Sequence, residues 1–132
     1  MTNTLKLSIP MKPKPAPRPR VTTRGTYNPK DYTDYKNYIS LLAKRERPKK
    51  IDGAVMLIIE YRLGMPKSWS KKKKAIMNGK WHISRPDLDN LDKGVKDALT
   101  GVCYRDDSQV ALKHTSKAWA SSDMISISVY EL

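Results

Sequence analysis

Pro86-Asp87-Leu88-Asp89-Asn90-Leu91-Asp92-Lys93-Gly94-Val95-Lys96-Asp97-Ala98-Leu99-Thr100-Gly101 is the stretch whose reading decides the fold. Leu88, Leu91, Val95, Ala98, Leu99 and Val102 recur at spacings of three and four, the period of a helix with one apolar face. Pro86 disfavours a helical Arg85, so the chain enters extended, and the helix is predicted to start near Asp87 to Asp89. Thr100-Gly101 supplies its stop. The other side carries Asp89, Asp92, Lys93, Lys96 and Asp97. Downstream the period becomes two. Gln109–Trp119 reads as a strand, and Met124-Ile125-Ser126-Ile127-Ser128-Val129-Tyr130 alternates strictly. The turn Ala120-Ser121-Ser122-Asp123 between them predicts an antiparallel hairpin.

Upstream, Ala54–Leu63 is the most apolar segment, short, rich in branched residues and bounded by Gly53 and Gly64, which predicts a central strand. Tyr32, Tyr35, Tyr38, Ile39, Leu42 and Ala43 recur at helical spacing behind Asn28-Pro29, up to about Arg45. The tyrosines read as core packing more readily than as a base-stacking row. Leu5–Ile9 alternates like a half-buried strand. Ser68 or Ser70 caps a short lysine-rich helix ending at Asn78-Gly79, and Trp81-His82-Ile83 is a short extended piece. The expectation is an α+β fold, a small mixed β-sheet with a C-terminal antiparallel hairpin packed by two main helices, in one domain over 1–132.

The chain of 132 residues carries 26 Lys+Arg against 13 Asp+Glu, a net charge of +13. Nucleic acid is the usual partner for such a balance, an anionic membrane surface the lesser one. No apolar run approaches the roughly 20 residues of a membrane span, and the start of the sequence has no signal-peptide apolar region. Cys103 stands alone, which excludes an internal disulfide and a thiolate zinc site. It reads as a small buried apolar residue, and a reducing cytoplasm fits. Arg45-Glu46-Arg47-Pro48-Lys49-Lys50 stops the first helix and adds positive charge, and basic residues concentrate in two further places. Met11–Arg20 interleaves proline with Lys14, Arg18 and Arg20, and Arg24 follows; the stretch 11–26 is either a disordered basic linker or a DNA-contacting arm, with 21–27 a loop or short hairpin. Lys71, Lys72, Lys73 and Lys74 lie side by side, a solvated face or a phosphate-attracting one.

Against this background, six of the thirteen acids (Asp87, Asp89, Asp92, Asp97, Asp106 and Asp107) fall in one span. Carboxylates gathered in a basic protein suit a divalent metal that bridges to phosphate oxygens. Asp87 and Asp89 are two apart where extended chain becomes helix, so both can converge on one ion. The plainer alternative makes one an N-cap and lets the other favour the helix dipole. Lys93, one turn beyond Asp89, is either an exposed i,i+4 ion-pair partner or a cation beside the phosphate. His82 and His114 are isolated among strand-like residues and are minor candidates for ligand or base. Two classes of function stay open on the residues alone: a metal-dependent nuclease and a non-catalytic basic nucleic-acid-binding module.

Arg85-Pro86-Asp87-Leu88-Asp89-Asn90-Leu91-Asp92-Lys93, Asp97-Ala98-Leu99-Thr100-Gly101 and Asp106-Asp107-Ser108-Gln109-Val110 together resemble the signature of RusA-type Holliday junction resolvases, endodeoxyribonucleases of bacteria, phages and prophages. The Pro/Arg-rich segment and Tyr27-Asn28-Pro29 are also similar to phage members. The resemblance implies a homodimeric α+β protein that resolves four-way DNA junctions by paired cuts. It implies Mg²⁺, with Mn²⁺ as a substitute, bound by Asp87, Asp89 and Asp107, with Asp106 the further acid of that pair. It implies Lys93 as the functional lysine. Pro86 stands where some members have arginine, with Arg85 one residue earlier as the phosphate contact. No small-molecule cofactor and no membrane partner are implied.

Overall fold

A computed structural model describes residues 1–17 and 30–132, together with the backbone of 20–22 and 25–27. In chain order its elements are β1 (Thr2–Ile9), β2 (Arg20–Thr22), β3 (Gly25–Tyr27), α1 (Lys30–Arg45), β4 (Val55–Gly64), α2 (Lys71–Met77), α3 (Leu88–Leu99), β5 (Val110–Ala120) and β6 (Met124–Glu131). β1, β4, β5 and β6 form one mixed sheet in the order β1-β6-β4-β5, while β2 and β3 form a separate hairpin. β6 is antiparallel to both β1 and β4, and β4 is parallel to β5. The fold is α+β with a mixed sheet, as expected, and α1 and α3 are its two main helices.

The expected C-terminal hairpin is corrected. β5 and β6 run in opposite directions and are joined by a short turn, but β4 lies between them. The turn steps over the end of β4, where Ala120 pairs with Gly64 and Met124 with Arg62. It covers two strand spacings, roughly 10 Å, which its residues span when extended. Gly64 makes the crossing possible: its N–H donates to Asp123 Oδ1 at 2.7 Å, and a Cβ there would sit 3.2 Å from that oxygen. A turn between neighbouring strands and a turn over an intervening strand need the same short polar segment, so local sequence does not separate them.

Alternation along the strands sends Leu57, Ile59 and Tyr61 of β4 and Ile125, Ile127 and Val129 of β6 into one core with Ile39 and Ala43 of α1 and Leu91, Val95 and Leu99 of α3. Tyr32 and Tyr35 are core residues, whereas Tyr38 is exposed. Cys103 is buried, and burial pushes its thiol up to about 12, so it is the inert apolar residue the sequence suggests. The two helices approach closely at Gly94, where a Cβ would lie 2.9 Å from Tyr32 Oη and 3.4 Å from Tyr35 Cε2. Gly94→Ala is therefore expected to lower stability despite a helix-propensity gain of about 1 kcal/mol. Overpacking a core contact costs about 1–3 kcal/mol, so a net loss of about 1 kcal/mol should appear in urea denaturation. A rise in the urea midpoint would show that the tyrosine rings yield without cost.

Candidate active site

The start of α3 is set by chain that arrives along the free edge of β5. Gly79 N donates to Trp119 O, Trp119 N to Lys80 O, and His82 N to Lys117 O, at 2.9–3.0 Å. The buried His82 ring lies 4.2 Å from the Trp119 ring. Burial, and then the Lys117 charge, lowers its pKa, which keeps it neutral near pH 7. Lys117 Nζ donates to the carbonyls of Ser84 and Pro86 and so ties down the loop before the helix. The Arg85–Pro86 bond is cis. Asp87 then caps α3, its Oδ1 accepting from Asn90 N at 2.9 Å. From the other side, Ala16 N donates to Asn90 O at 3.0 Å, docking the proline-rich stretch on the first turn of α3. A cleft of ≈ 700 Å³ opens there, between Pro15, Ile83, Arg85, Asp87 and Lys117.

Asp89 projects from the first turn with its side chain 97% exposed. Its neighbour on the strand is Lys113, whose Nζ lies 3.8 Å from Asp89 Oδ1 and 3.0 Å from Asp92 Oδ2. Asp92 is only 1% exposed. Its Oδ1 accepts from Tyr61 Oη at 2.7 Å and Thr115 Oγ1 at 3.0 Å. Burial and the Asp92 charge hold the Tyr61 hydroxyl far above its usual pKa, so it stays a donor. Lys113, Thr115 and Lys117 share one face of β5 because they alternate along it. That face meets the first half of α3.

Asp87 and Asp89 are thus brought together at one end of α3. Asp106 and Asp107 are not beside them. They lie at the start of β5, in a 3-10 turn over Asp107–Gln109, whereas Lys113 and Lys117 are farther along the strand. Asp106 accepts from the Ser108 hydroxyl, which holds its carboxyl below the usual range. Gln109 fixes this turn: its Oε1 accepts from Arg105 N and Asp106 N, and its Nε2 donates to the carbonyls of Ile51 and Gly53, at 2.8–3.0 Å. Among the described residues no three His, Cys, Asp or Glu side chains form a group able to hold a metal. Each of Asp87 and Asp89 does keep carboxylate oxygen free of hydrogen bonds from the described residues. Two such hard donors fit Mg²⁺, which takes one or two carboxylates and fills its shell with water and substrate phosphate.

The cations divide similarly. Arg85 is exposed on the cleft wall. Lys93 is exposed and makes no ion pair among the described residues; the partner of Asp89 is Lys113 instead. Lys14 pairs with Asp31 at 3.7 Å. Ser70 is the cap of α2, which carries Lys71, Lys72, Lys73 and Lys74, and Lys73 lies over the Trp69 ring at 4.2 Å. Arg18 and Arg24 lie outside the described residues, as does the side chain of Arg20. His114 is exposed and lines a hollow with Glu60 and Arg62, away from α3.

The sequence reading missed Lys113 and Lys117 and put Asp92 on the polar side of α3. The signal present was the row of polar residues at every second position of β5, which marks a strand face that meets polar groups. Its partner depends on which helix lies above it, and that is set by topology.

Among the described residues no helix is long and apolar enough to cross a membrane. A family model described as endodeoxyribonuclease RusA matches residues 10–130. The uncharacterized protein YqaN of Bacillus subtilis (strain 168) is 33% identical over 137 residues, covering 97% of this chain and 96% of that protein.

Proposed function

This chain belongs to the RusA endodeoxyribonuclease family, and from that premise we propose that it is a Mg²⁺-dependent endonuclease that resolves four-way DNA junctions, with Asp87 and Asp89 as metal-holding carboxylates. The observation that carries the reading is their pairing at the start of α3, exposed and beside a cleft walled by Arg85 and Lys117 on a protein of net charge +13. When bound, Mg²⁺ supplies a Lewis acid for activating water and for charge on the departing oxygen. The remaining work falls to the chain. Lys117 and the Asp87 cap tie down the loop and the helix start, so the backbone that carries the two carboxylates is fixed. Lys93 stands free one turn from Asp89 to neutralise charge on the phosphate. The proline-rich stretch is docked on Asn90 through Ala16, and Arg18 and Arg20, which follow it in sequence, are the contacts for the junction arms. The assignment of Asp107, with Asp106, as a further ligand rests on the motif. A homodimer accounts for paired cuts, one site per subunit.

The test is cleavage of a synthetic four-way junction against linear duplex of the same sequence. Cutting of the junction in Mg²⁺, stopped by EDTA and restored by Mn²⁺, is the expected result. Tight junction binding without cleavage in either metal would favour the non-catalytic binding module, in which Asp87 is only a helix cap.

A further inference from the structure

Asp92 is a costly residue in its position. Its neighbours Leu91 and Val95 fill the core with no polar atom to satisfy, whereas a buried carboxylate requires compensation for every oxygen. Oδ1 has it from Tyr61 and Thr115. Oδ2 meets the Lys113 ammonium at 3.0 Å. The buried charge therefore holds the ammonium in place, and the contact occupies at most one of its three N–H groups. The other two have no hydrogen-bonded acceptor among the described residues. The ammonium also faces outward: the Lys113 side chain is 29% exposed, and the neighbour on its solvent side is Asp89.

The other cations nearby differ. Lys117 uses its donors on the Ser84 and Pro86 carbonyls, and Lys93 has no tether. Lys113 alone among these three combines a fixed position with uncommitted donors. A lysine ordinarily loses much side-chain freedom when it engages an anion; here that loss is already met in the fold. Such a pre-placed cation beside an exposed carboxylate suits an anion that approaches with a metal.

We propose that Lys113, tethered by the buried Asp92, contacts an oxygen of the DNA phosphate that docks at Asp89. Asp92 is then a positioning residue acting through Lys113. The inference rests on the reading of Asp89 as an active-site carboxylate, and its test separates the two. Junction binding is measured across a salt series in Ca²⁺, with the DNA checked for integrity on a gel, and single-turnover cleavage is measured in Mg²⁺. Lys113→Met is expected to reduce the slope of log K against log salt by about one unit, one phosphate contact, and to slow cleavage at least tenfold. Lys113→Arg should restore the slope. Asp92→Asn keeps acceptors for Tyr61 and Thr115 and keeps the lysine charge, so it should slow cleavage while leaving the slope near that of the wild type. If Lys113→Met does not fold, the double variant Asp92→Asn with Lys113→Met, which leaves no unpaired buried charge, replaces it. A lowered melting temperature with slope and rate unchanged would make the pair purely structural and overturn the proposal. If the wild type cuts nothing, the nuclease reading fails, and the slope still decides whether Lys113 meets a phosphate.

Discussion

Asp89→Asn is expected to slow single-turnover junction cleavage at least about a thousandfold, roughly 4 kcal/mol of barrier, while junction affinity holds or rises. The exchange keeps the shape of the side chain and removes its charge. Structural damage is small, because the side chain is 97% exposed and its described contact is the loose 3.8 Å approach of Lys113. Loss of a first-turn carboxylate costs about 0.3–1 kcal/mol against the helix dipole, too little to unfold the domain. Affinity should not fall, because the lost charge repels phosphate when no metal is present. Binding assays run in parallel with cleavage check this. A rate within tenfold of the wild type would remove Asp89 from the metal site, and parallel loss of binding would make it a structural residue.

Lys93→Ala is the second large effect, expected to slow cleavage at least about a hundredfold, roughly 2.7 kcal/mol. Lys93 makes no ion pair with Asp89 or any other described residue, so its removal should change stability by less than about 0.5 kcal/mol. The stability and rate effects are thus well separated. Lys96→Ala is the control, on the same helix one turn nearer its C-terminal end. Both variants should fold and bind junctions. Single-turnover rates within threefold of each other would take Lys93 out of the reaction and weaken every role assigned through the motif.

How much of this was legible depended on whether a residue's role is local. α3 announced itself through Leu88, Leu91, Val95 and Leu99, and β4 through its unbroken apolar run, because periodicity is written in consecutive residues. A cap at Asp87 or Asp89 was legible for the same reason, and the structure assigns it to Asp87. The neighbour order of the strands was not, since pairing β6 with β1 and β4 joins segments far apart in sequence. The expected β5–β6 hairpin failed on that point. Asp92 was misplaced because its three partners, Tyr61, Lys113 and Thr115, come from two different strands. The ligand set that the resemblance implies, Asp87, Asp89 and Asp107, is not gathered into one group among the described residues, because β5 begins away from the end of α3 that carries Asp87 and Asp89, and Gln109 anchors that turn to the 51–53 segment.

The place of β6 in the sheet sets a timetable for the growing polypeptide. β6 is the last of its strands to be synthesised, yet it fills the gap between β1 and β4. At about 5–20 residues per second, on the order of ten seconds separate the emergence of β1 from that of β6. Through that interval β1 has no partner, one side of β4 is open, and α3 has only part of the floor it packs on. A translation product broken off before Met124 exposes two unpaired edges, the kind that draw chains into aggregates.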